Sequence, residues 1–156
     1  MAENDCVPKL LEEFEAGRID PALFRHREHV RVGYELLERM PFPEALLHLA
    51  RGLRRLAAKA GKPEVYHETI TAGFLALIAE RRLRHSHASW NDFATRNPDL
   101  FCKELLEQFY EPAELKSPLL RQTFVLPRRG TIETAASYKD APFETWAAMR
   151  VLALTR

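Results

Sequence analysis

Apolar residues recur along most of this chain every three or four positions, the interval that places them on one face of an α-helix. Val7, Leu10, Leu11 and Phe14 open the series, with Pro8 suited to a first turn and Gly17 to a C-terminal stop. Beyond a turn at Asp20-Pro21, the pattern predicts a second helix from His26 to Met40, where Pro41 and Pro43 forbid simple continuation. A third helix, expected from Glu44, carries the most regular stripe: Leu46, Leu49, Ala50, Leu53, Leu56, Ala57 and Ala60, closed by Gly61 and Pro63. A fourth follows Pro63 through Tyr66, Ile70, Phe74, Leu77 and Ile78 to about Leu83, and its wide apolar face marks it as the central helix.

The run Arg84-His85-Ser86-His87-Ala88 reads as a loop, after which Ser89 caps a short helix bearing Trp90 and Phe93. Asn97-Pro98 restarts the chain, and Leu100, Phe101, Leu105, Leu106 and Phe109 predict a further helix. Ser117-Pro118 opens a shorter one that buries Leu120 and Phe124. From Val125 to Asp140 the periodicity lapses, and a last helix is expected from Pro142, with Phe143, Trp146, Ala147 and Val151 on its apolar side. With no alternating strand, no internal repeat and no low-complexity segment, only helix-on-helix packing remains. The expectation is an all-α, single-domain bundle of about six to eight helices over residues 1–127, followed by a linker and an additional C-terminal helix over 128–156.

Composition narrows the picture. With 156 residues, 46% hydrophobic and 29% charged, the chain suits one self-sufficient core. A formal net charge of +1 gives it no overall electrostatic reason to seek nucleic acid or an anionic membrane. Cys6 and Cys102 are too sparse for a disulfide framework, which points to a reducing compartment. Met1–Asp5 lacks the features of a secretory signal, and no stretch reaches the ~18 apolar residues of a membrane span, so the cytoplasm is the expected location.

Two constellations carry candidate chemistry. In Phe24-Arg25-His26-Arg27-Glu28-His29-Val30, the two histidines fall on the inward stripe shared by Val30, Gly33 and Leu37, and Gly33 leaves room there for a ligand. In Tyr66-His67-Glu68-Thr69-Ile70-Thr71, His67 clusters with Thr71, Phe74 and Ile78 on the core side, with Glu68 at its edge. If the two helices are neighbours, His26, His29 and His67 converge as three nitrogen ligands for a divalent metal such as Zn, Fe or Mn, with Glu68 as an oxygen ligand or an acceptor orienting an imidazole. Without metal, His29, His67 and Glu68 offer acid–base groups in an apolar pocket, with Tyr66 and Thr71 contacting a substrate. The bland alternative is a set of packed, hydrogen-bonded core histidines. His85 and His87 read as solvated loop residues, and Arg51, Arg54 and Arg55 as a solvated helix face. Phosphate loops and nucleophile elbows are absent from the sequence.

Together with Asn97-Pro98-Asp99-Leu100 and the run from Phe124 to Pro127, these segments resemble a family of short helical bacterial proteins usually described as uncharacterised, in which F-x-H-x-x-H and Y-H-E-T patterns recur together. The resemblance spans about residues 20–127 and implies that His26, His29, His67 and Glu68 belong to one site; it brings no particular reaction. The functional expectation is a small enzyme acting on a polar small molecule, by lyase, isomerase or hydrolase chemistry. Its rival is a non-catalytic interaction module whose C-terminal helix, through Phe143 and Trp146, docks on a partner or forms a homodimer.

Overall fold

A computed structural model describes residues 7–127, and among them all regular structure is helical. The long elements are α1 (Val7–Glu15), α2 (His26–Arg39), α3 (Phe42–Lys59) and α4 (Glu68–Arg84), followed by short α5 (Trp90–Arg96), α6 (Pro112–Leu115) and α7 (Pro118–Gln122). Gly17 and Gly61 adopt φ of +70°, a conformation that glycine enters without steric cost, and each turns the chain just beyond a helix end. The expected linker and last helix over 128–156 lie outside the described residues.

The helices α2, α3 and α4 pack mutually and frame two apolar clusters. On one side Leu11 and Phe14 of α1 meet Val32 and Leu36 of α2 and Ala45, Leu49 and Leu56 of α3. On the other, Val30 and Tyr34 of α2 join Phe74 and Ile78 of α4, Trp90 and Phe93 of α5, and Leu100, Leu105 and Leu106. Phe14, Phe93, Leu36, Leu75 and Ile78 are wholly buried, each removing about 1.5–3 kcal/mol worth of apolar surface from water.

Four differences from the sequence expectation have local causes. The third helix begins at Phe42, because Pro43 sits in its first turn, where no intrahelical N–H is required. The fourth begins only at Glu68, after a 3-10 turn at Pro63–Val65, so Tyr66 and His67 precede the helix. The segment expected as one helix over Leu100–Phe109 is a pair of 3-10 turns, Pro98–Phe101 and Lys103–Gln108, separated by an extended Cys102. Finally, α7 buries Leu120, but Phe124 lies past its end and is exposed.

Gly33 also serves a purpose other than the expected one. A Cβ added there would lie 3.1 Å from Ile78 Cδ1 and 3.3 Å from Leu75 Cδ1, so the missing side chain lets α4 side chains close on α2 rather than leaving ligand space.

Candidate functional site

The N-terminal ends of α2 and α4 and the second half of α3 enclose a cavity of about 320 Å³, at the lower end of the range for small-molecule sites. Its wall is mainly aliphatic and aromatic, including Phe24, Leu49, Leu53, Leu56, Ile70 and Phe74. The polar lining comes from His26, His29, Tyr66, His67 and Thr71. Five of the six expected site residues therefore border one space; Glu68 does not.

The three imidazoles differ in what remains free on them. His67 is the N-cap of α4: its Nδ1 accepts from the Ile70 amide at 3.2 Å. An amide can only donate, so Nδ1 carries the lone pair and Nε2 the proton, which it donates to the Leu115 carbonyl at 2.8 Å. Both nitrogens are thus engaged by backbone. His26, at the first position of α2, donates from Nε2 to the Leu100 carbonyl at 2.9 Å, leaving the Nδ1 lone pair. Its ring lies edge-on to Phe74, 4.7 Å between centroids. Burial lowers the pKa of both groups, partly opposed by these carbonyl contacts.

His29, one turn along α2, packs beside Phe24 with ring centroids 4.7 Å apart; its backbone amide donates to the Arg25 carbonyl at 3.1 Å, but its imidazole makes no hydrogen bond to another described residue. The ring borders the cavity. Burial, with smaller contributions from His26 and Lys103, lowers its pKa to about 4. At neutral pH it is an uncharged imidazole offering one donor and one acceptor.

Glu68 faces another set of partners. Its carboxylate accepts from Arg54 Nη2 at 2.6 Å and from the Tyr66 hydroxyl at 3.0 Å, while the Arg54 guanidinium stacks 4.5 Å from the Tyr66 ring centroid. This trio joins α3 to the start of α4, and the expected role of Glu68 in orienting an imidazole is corrected accordingly. Burial, the Glu68 charge and the hydrogen bond to it push the Tyr66 hydroxyl up to about 12, with Thr71 acting in the opposite sense through its own hydrogen bond. Tyr66 thus remains protonated at physiological pH.

A three-histidine metal site does not fit this arrangement. A metal needs a nitrogen lone pair from each ligand, and His67 has none left without breaking its cap or its carbonyl bond. Among the described residues, no three His, Cys, Asp or Glu side chains converge as a metal-binding group.

Sequence reasoning missed several contributors. Leu100 and Leu115 act through backbone carbonyls, which residue type does not reveal. Arg54 looked like part of a solvated face, yet it completes the Glu68 trio. His87, expected in a solvated loop, has a side chain only 4% exposed, edge-on to Phe93, with Nε2 donating to the Arg81 carbonyl at 3.3 Å. It borders a different part of the core. The structure also gives the Asn97-Pro98-Asp99-Leu100 segment a local logic: Asn97 Nδ2 donates to the Phe93 carbonyl, Asp99 pairs with Arg81, and Leu100 is buried while its carbonyl receives His26.

In class, this is an all-α protein with a histidine-bordered apolar cavity. No protein-family model, curated protein or solved structure matches it. Among the described residues, no helix is long and apolar enough to cross a membrane.

Proposed function

We propose that the chain is a small helical enzyme that acts on a small molecule held in this cavity, with His29 as the group that takes and returns a proton. One observation carries the reading: His29 borders the cavity, is uncharged at neutral pH and has a ring that no described residue engages by a hydrogen bond, whereas His26 and His67 are tied to backbone. A merely structural histidine in an apolar setting would be expected to find partners, since an unpaired buried polar group costs about 1–3 kcal/mol.

With a pKa near 4, His29 is a weak base that holds a proton only in passing. Negative charge developing on a bound molecule beside it would raise that affinity, which suits proton relay in lyase, isomerase or hydrolase chemistry. His26, whose ring centroid is 6.3 Å from that of His29, supplies a second neutral nitrogen through Nδ1. Tyr66 and Thr71 contact the substrate on the α4 side, and Glu68 acts at one remove by holding Tyr66. His67 positions the start of α4 rather than reacting.

The test is to incubate the purified protein with a bacterial small-molecule extract and follow the components by mass spectrometry. The expected result is that at least one compound is consumed by the wild type and left unchanged by His29→Gln. If wild type, His29→Gln and heat-inactivated protein give the same profile, the enzymatic reading is wrong.

A further inference from the structure

We infer that the cavity takes an uncharged, mainly apolar molecule whose single polar head is a hydroxyl, an alcohol or a phenol. This rests on the proposed cavity site and replaces the expectation of a polar metabolite. Among the described residues, no Asp, Glu, Lys or Arg side chain lines the cavity. A charged ligand would therefore exchange water for an apolar wall without a counter-ion, at a steep cost in desolvation.

The remaining hydrogen-bonding capacity defines the head group. The His26 Nε2–H is committed to Leu100, the His67 Nε2–H to Leu115 and the Tyr66 hydroxyl proton to Glu68. The Thr71 hydroxyl is drawn into the hydrogen bond with Tyr66. That leaves His29 with one N–H, against lone pairs on its other nitrogen and on His26 Nδ1. Acceptors outnumber donors. A ligand carbonyl or ether could use only the single N–H, whereas a hydroxyl accepts from His29 and donates to an imidazole lone pair. Leu49, Leu53, Leu56, Ile70 and Phe74 then cover the apolar body.

The test compares three ligands of one shape by isothermal titration calorimetry at pH 7: 4-butylphenol, its methyl ether, and 4-butylbenzoate. The full-length wild type should bind the phenol at least tenfold more tightly than either of the others. His29→Phe and His29→Gln, each checked for cooperative unfolding, should differ: the first loses the preference for phenol over ether, and the second keeps part of it. Equal affinity for phenol and ether overturns the hydroxyl assignment, and tighter binding of the benzoate overturns the uncharged class. No binding of any of the three also overturns this inference, whereas the proposed reaction falls only on the extract experiment.

Discussion

Adding a proton to His29 charges a side chain that the fold surrounds with apolar atoms, so the cost appears as a dependence of stability on pH. Its pKa is about 4 in the folded protein, against an ordinary value of 6.5. Between those values the unfolded chain binds the proton and the folded one does not. Stability is therefore highest above pH 6.5 and declines as the pH falls towards 4, by up to about 3 kcal/mol from this residue. His26 and His67, also shifted downward, act in the same direction. Urea denaturation from pH 7.5 to 4 should show the decline, and His29→Gln should flatten part of it; an unchanged slope would contradict the burial of this imidazole. His67 has a separate energetic role. His67→Ala removes the α4 cap and the Leu115 bond and should lower stability by about 1–2 kcal/mol, whereas His67→Asn, which can still cap, should lose less. Equal losses in the two variants would argue against the cap.

At the level of elements, close packing depends on two glycines. A Cβ at Gly52 of α3 would fall inside the Phe14 ring of α1. Gly52→Ala should thus cost about 1–3 kcal/mol of overpacking, outweighing the gain of up to about 1 kcal/mol in helix propensity, and thermal unfolding would reveal the sign. At Gly33 the atoms met are the mobile ends of Ile78 and Leu75, so alanine there should be better tolerated. The long helices were legible because each buries a continuous stripe, and the period of that stripe survives in the sequence. The start of α4 was not. Histidine is outside the usual set of cap residues, and Tyr66 and His67 continue the apolar rhythm although their backbone is extended. The pair of 3-10 turns was hidden for the same reason: Leu100, Leu105 and Leu106 are buried, as a helix would require, while only the hydrogen-bond pattern differs. The inward placement of His26, His29 and His67 could be read from neighbouring apolar residues; which nitrogens stayed free could not, because the decisive partners are backbone carbonyls distant in sequence.

Across the whole molecule, the end of the described chain is tied to its centre. Thr69 of α4 donates to the Thr123 carbonyl at 2.8 Å and accepts from the Val125 amide at 3.2 Å, while the Tyr110 hydroxyl donates to the Val125 carbonyl at 2.7 Å. A chain ending at residue 130 keeps all these bonds and should unfold cooperatively, whereas one ending at residue 117 loses them together with buried Leu120 and should be markedly less stable. Insolubility of the longer truncation alone would assign core packing to residues 131–156. The cavity's chemistry depends most on the division of labour among the histidines, which two-bond ¹H–¹⁵N imidazole spectra of the full chain read directly during a pH titration. At pH 7, His26 and His67 should both show the Nε2–H tautomer, and His29 should still be mainly neutral at pH 5, taking up its proton only around pH 4. A His29 that titrates near 6.5, or a His67 protonated on Nδ1, would contradict the account.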